Sequence, residues 1–159
     1  MTLVVYVGGA RSGKSRLAVE RASAAGAPVV FVATGEAGDE EMAERIARHR
    51  AERPESWKTV EEPLELTRAL REAPPDAAVI VDCLSLWVAN GGADAEAVEA
   101  ATTRDALTIA VTNEVGLGIV PDNALARAYR DDLGRVNAAW VAAADEAYFV
   151  VAGRTLPLT

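Results

Sequence analysis

The segment LVVYVGGARSGKSRLA constrains this chain more than any other. Five apolar residues lead into GGARSGKS, Gly8 to Ser15, and a helix-compatible stretch follows. That is a strand, a glycine turn and a helix in immediate succession, in the pattern G-x-x-x-x-G-K-[ST]. Gly8, Gly9 and Gly13 let the backbone bend and come close to a ligand. With Ala10, Arg11 and Ser12 between them, successive N–H groups form an anion cradle at a helix N-terminus. Lys14 has the reach to contact the β- and γ-phosphates of a nucleotide, and Ser15 presents a hydroxyl to Mg²⁺.

Four further apolar, β-branched runs recur along the chain. Strands are predicted over residues 3–7, 29–33, 78–82, 107–112 and 147–152. Their continuous hydrophobicity predicts a mostly parallel sheet buried on both faces. Helices are predicted over 15–26, 39–52, 64–72, 94–101 and 122–144. In the last, Leu125, Tyr129, Leu133, Val136, Trp140 and Ala144 repeat at three and four, predicting one apolar face. Neither an internal repeat nor a linker interrupts the alternation, so residues 1–159 read as one α/β domain.

Composition narrows the function. A formal charge of −8 and a pI of about 4.7 disfavour a nucleic-acid binder. The single cysteine, Cys83, excludes an internal disulfide and fits a reducing, cytoplasmic setting. No apolar run reaches the length of a membrane span, and MTLVVYVGG lacks the basic start of a signal peptide.

AVIVDC ends a predicted strand in Asp82, the acid expected beside Mg²⁺. The fourth predicted strand ends TNEV, without the Asn-Lys-x-Asp signature by which small GTPases read guanine. The segment RIARHRAERP sets His49, the only histidine, among Arg45, Arg48, Arg50 and Arg53. Met42, Ile46 and His49 share one helix face. These arginines fit either a solvated face paired with Glu41, Glu44 and Glu52 or bidentate phosphate recognition. A neutral imidazole is a nucleophile, nearby cations favour its neutral form, and the same cations neutralise a phosphate under attack. Covalent nucleotidylation of His49 is thus chemically reasonable.

GGARSGKS, VFVATG, DEEMAERIARHRAERPESWKTVEEP, VDCLSLWVAN and VTNEVGLGIVPDNALARAYRDDLGRVN together resemble the bifunctional adenosylcobinamide kinase / adenosylcobinamide-phosphate guanylyltransferase family. The resemblance covers nearly the whole chain. It implies a RecA-like P-loop fold, a homotrimer and two reactions. In the first, ATP or GTP phosphorylates adenosylcobinamide. In the second, GTP guanylylates a histidine, and adenosylcobinamide phosphate takes up the GMP. Matched by position, that histidine is His49. The nucleotide contacts implied are Gly8 to Ser15, Ala33, Thr34, Gly35, Arg50, Ala51, Glu52, Arg53, Glu61 and Asp82, with Ser15 and Asp82 at the metal. The loop TNEVGLGIVPDN either lines a corrinoid entrance or only caps the long helix. One departure stands out: the family usually carries a longer segment between VDCLSLWVAN and VTNEV. Two other readings fit the residues: a monofunctional small-molecule kinase with a structural histidine, and a non-catalytic nucleotide-binding regulator.

Overall fold

The computed structural model of the chain describes residues 2–158. Strand β1 (Thr2–Gly8) is followed by helix α1 (Lys14–Ala24), β2 (Val29–Ala33), α2 (Glu40–Ala51) and β3 (Lys58–Glu61). Then come α3 (Leu66–Glu72), β4 (Ala78–Asp82), α4 (Leu84–Ala89), α5 (Glu96–Thr102) and β5 (Leu107–Asn113). Helix α6 (Ala124–Ala143), β6 (Glu146–Val151) and β7 (Arg154–Pro157) complete the order. The strands form one seven-stranded sheet in the order β3-β2-β4-β5-β1-β6-β7. Six strands are parallel; β7 alone runs antiparallel, against β6. This is the α/β arrangement that the apolar runs predict.

Alternation along each strand divides the core. Leu3, Val5, Val7, Val30, Val32, Val79 and Val81 face a layer that includes Leu66, Leu70, Trp87, Leu133 and Trp140 from α3, α4 and α6. Val4, Tyr6, Phe31, Ala78 and Ile80 face Ala18 and Ala22 of α1. Both faces are therefore covered, as parallel pairing requires.

Helix α2 is the exception, because none of its residues is buried. Local terms hold it instead. The Asp39 side chain accepts from the Met42 N–H at 2.7 Å, Glu40 and Glu41 occupy the first turn, and Arg48, His49 and Arg50 the last. Cap and charges all complement the helix dipole.

Several sequence expectations change. Strand β3 has one apolar residue in four and is half exposed, α4 is only six residues long and follows β4 after Cys83 alone, and β7 is exposed throughout. None of the three stands out by periodicity. Leu125 does not join the apolar face of α6. It is 83% exposed, whereas Leu133 is fully buried. Gly9 has room for a side chain, but Gly8 does not. A Cβ at Gly8 would lie 2.5 Å from the Val150 carbonyl oxygen and 2.7 Å from Ser12 Oγ. The missing side chain there makes room for β6.

Leu133→Ala is expected to cost about 2–5 kcal/mol by leaving a cavity, and Leu125→Ala about 0.5 kcal/mol or less. Urea unfolding of the two variants checks the contrast.

Candidate functional site

Every parallel strand delivers its carboxyl end to the same edge, where ligands of α/β sheets bind. The glycine turn leaves β1 there, Ala33 leaves β2, Glu61 leaves β3, Asp82 leaves β4 and Asn113 leaves β5. Above this edge lies a cavity of about 600 Å³. Its floor is Ala10, Arg11, Ser12, Gly13, Lys14 and Ser15, with Ala33, Gly35 and Asp82 beside them. Helix α2 forms the opposite wall. Arg45, Arg48, His49, Arg50, Glu52 and Arg53 all line the cavity, and Glu61 closes its side.

The phosphate loop is pinned from two directions. Gly13 takes a left-handed φ of 100°, and Gly153 in the β6–β7 turn donates its N–H to the Ser12 carbonyl at 2.7 Å. Lys14 is buried and its Nζ donates to the Gly9 carbonyl at 2.8 Å. Burial lowers the Lys14 pKa; Cys83 and Asp82 oppose that shift. The ammonium is thus partly desolvated and held ready for an anion.

Burial raises the pKa of Asp82 above the usual carboxylate value of 3.8, against the Ser15 hydroxyl and the positive charges of His49, Lys14 and Arg53. His49 and Asp82 line the same cavity, so the α2 wall faces the sheet edge. The Asp82 carboxylate has no ion pair among the described residues. With the Ser15 hydroxyl it forms a pair of hard oxygen donors, a chemistry that suits Mg²⁺. No group of three or more His, Cys, Asp or Glu side chains could cage a metal among the described residues. Mg²⁺ suits such a sparse site because phosphates and waters complete its shell.

The arginines divide by partner. Arg50 pairs with Glu61 at 3.0 Å. Arg53 lies flat over Phe31, 3.8 Å from the ring centroid, and donates to Thr59 Oγ1 at 3.2 Å. Neither pairs with Glu41, Glu44 or Glu52. Glu52 instead lies on the Nδ1 side of His49, at 3.9 Å. Arg45 and Arg48 have no ion pair among the described residues. The His49 side chain is 45% exposed, open to the cavity rather than packed in a core. Cys83 also lines the cavity, but burial pushes its thiol up to about 11, so it stays protonated and unreactive.

Not every expected residue turns its side chain to the cavity. Thr34 is fully buried; its hydroxyl donates to the Cys83 carbonyl at 2.7 Å and accepts from the Cys83 N–H at 2.9 Å. It ties the end of β2 to the end of β4. Ala51, the buried Gly8 and the exposed Gly9 do not line the cavity. Conversely, Phe31, Ser85, Asn113 and Tyr129 line the cavity without having been expected there. Phe31 and Asn113 belong to strands whose hydrophobic pattern gives no sign of which residue meets a ligand.

Comparison with known proteins agrees with this geometry. A family profile described as cobinamide kinase / cobinamide phosphate guanyltransferase matches residues 3–158. The bifunctional adenosylcobalamin biosynthesis protein CobP of Pseudomonas aeruginosa is 43% identical over 165 residues, covering 97% of this chain and 95% of its own. The similarly named CobU of Salmonella typhimurium is 40% identical over 176 residues, covering 95% and 96%. That of Escherichia coli K12 is 39% identical over 175, with the same coverage. These last alignments exceed the 159 residues here, so both relatives carry segments this chain lacks. Among solved structures, the flagellar accessory protein FlaH of Methanocaldococcus jannaschii aligns with a TM-score of 0.56 at 13% identity. The alignment covers 99% of this chain and 78% of FlaH, a likeness of fold alone.

A group whose folded pKa is raised stabilises the fold at low pH, and that stability is lost as pH rises through the raised value. Asp82 is such a group. Asp82→Asn is therefore expected to raise the melting temperature of the free protein at neutral pH and to flatten its pH dependence above 3.8. The same variant should lose the stabilisation given by Mg²⁺ and nucleotide. Melting curves across pH check this; a lower neutral-pH melting temperature would contradict it.

Proposed function

The chain belongs to the cobinamide kinase / cobinamide phosphate guanyltransferase family, and from that premise we propose how its own residues divide the two reactions. The substrates are adenosylcobinamide, its phosphate, and a nucleoside triphosphate; the product is adenosylcobinamide-GDP. One observation carries the residue assignment. The only imidazole in the chain lines the same cavity as the phosphate loop, together with Lys14, Ser15 and Asp82.

In the kinase step the loop presents the γ-phosphate, and the hydroxyl of the cobinamide side arm attacks its phosphorus. The bond to the β-phosphate oxygen breaks, the nucleoside diphosphate departs, and the hydroxyl proton passes to solvent. No side chain is assigned as base, and loose phosphoryl-transfer transition states depend little on one. In the guanylyl step His49 attacks the α-phosphorus of GTP. Glu52 flanks Nδ1, so Nε2 is the attacking nitrogen. The α-phosphorus–oxygen bond breaks, pyrophosphate leaves, and the ring sheds its proton. The phosphate of adenosylcobinamide phosphate then attacks the same phosphorus, the phosphorus–nitrogen bond breaks, and the ring takes back a proton from solvent to restore the neutral imidazole. The Ser15 hydroxyl and Asp82 carboxylate would hold Mg²⁺, which when bound would supply neutralising charge for the phosphate oxygens. Lys14, Arg45 and Arg48 add fixed positive charge facing the leaving group.

The resemblance also implies a homotrimer. Val115, Leu117, Ile119, Val120 and Leu125 support that reading, since five large apolar side chains stand exposed within eleven residues. The same loop begins at the cavity wall with Val115, which suits a corrinoid entrance. Among the described residues no helix is long and apolar enough to cross a membrane. A cytoplasmic setting, where the nucleotides are abundant, completes the proposal.

Incubation with α-labelled GTP is expected to leave acid-labile, base-stable label on His49, discharged by adenosylcobinamide phosphate. His49→Asn should abolish the label yet keep kinase turnover, whereas Lys14→Ala should impair both by about a hundredfold or more. Unlabelled wild-type protein with intact kinase turnover would instead favour the monofunctional kinase.

A further inference from the structure

Strand β5 lies between β1, which leads into the phosphate loop, and β4, which ends in Asp82. Register places Asn113 opposite Gly8, and places Asp82 opposite Val111. Asn113 thus emerges between the loop and the acid, and it lines the cavity with Lys14, Ser15 and Asp82. The Glu114 N–H donates to the Gly8 carbonyl at 3.1 Å, so the strand and the loop leave the sheet joined.

The orientation of the Asn113 amide follows from its neighbours. Its backbone N–H donates to Ser85 Oγ at 2.7 Å. Ser85 is buried and has one proton to give, which goes to Asn113 Oδ1 at 2.9 Å. Behind it, the Thr112 hydroxyl donates to Asn137 Oδ1 at 2.6 Å, and Asn137 Nδ2 donates to the Asn113 carbonyl at 2.9 Å. Tyr129 donates to the Ser85 carbonyl at 3.0 Å. Flipping the Asn113 amide would strand the buried Ser85 proton, a costly exchange. Asn113 Nδ2 is left with no protein partner among the described residues.

A neutral two-hydrogen donor, fixed by a buried network and set between the loop and the acid, suits an oxygen-rich anion. We propose that Asn113 is a further substrate-contacting residue, whose side-chain amide donates to the terminal phosphate of the bound nucleoside triphosphate. Ser85 and Asn137 act as positioning residues through it. The assignment rests on the nucleotide-binding part of the proposed function and not on guanylylation of His49. It gives the site a means of distinguishing a triphosphate from a diphosphate.

Asn113→Asp keeps the side-chain volume and the oxygen that accepts from Ser85, but turns an acceptor toward the cavity. GTP affinity with Mg²⁺ is expected to fall about tenfold or more, a charge-assisted hydrogen bond lost to repulsion. GDP affinity and the melting temperature should change far less. Asn113→Ala should shift the GTP-to-GDP ratio in the same direction by a smaller factor. Equal loss for both nucleotides, or a wild-type ratio in Asn113→Asp, would overturn the assignment. A wild-type protein that binds neither nucleotide would overturn the functional reading itself.

Discussion

The site depends on how rigidly the first βα turn is seated. Gly8 lies so close to β6 that its missing Cβ would strike the Val150 carbonyl. The β6–β7 turn grips the loop again through Gly153 and Ser12. Lys14 closes the loop on Gly9 from within. A phosphate cradle works by preorganised dipoles, and dipoles that must reorient on binding lose much of their effect. The exposed β7, which adds little to the core, therefore matters because its turn holds the loop.

The opposite wall is built on a different principle. Helix α2 buries none of its residues, and its stability comes from a cap, end charges and the Arg53–Phe31 stack at its exit. Such an element sits at the low-stability end of a fold. The covalent intermediate proposed for His49 would require the histidine to be open to more than one phosphate geometry, and a helix with no buried residue permits that. The half-buried Asp82 contributes the complementary feature. Its charge is disfavoured in the free fold, and the cation and nucleotide proposed to bind beside it would make that charge favourable, exchanging stability for binding.

The five central strands were legible because parallel strands buried on both faces must be continuously apolar. The loop was legible because glycine, lysine and serine at that spacing have few other uses. Strand β3 was not, since an edge strand of sequence KTVE has nothing to alternate. Thr34 resembled a ligand contact by position, yet a hydroxyl can equally join two strand ends, and only the three-dimensional register decides between those uses. Leu125 satisfied the helical period but stays exposed, outside both core clusters. Asn113 was invisible for a related reason: its significance comes from β5 lying between β1 and β4, and strand order is not written in local periodicity.

The central claim is that the imidazole and the nucleotide phosphates share one cavity. Because the chain has a single histidine, its ring protons can be followed by NMR without assignment ambiguity. The most direct measurement adds Mn²⁺ with an α,β-methylene analogue of GTP, which binds without transferring its nucleotide. Strong paramagnetic broadening of the His49 ring signals, reversed by excess Mg²⁺, is the expected result. Sharp ring signals at saturating analogue would contradict the account.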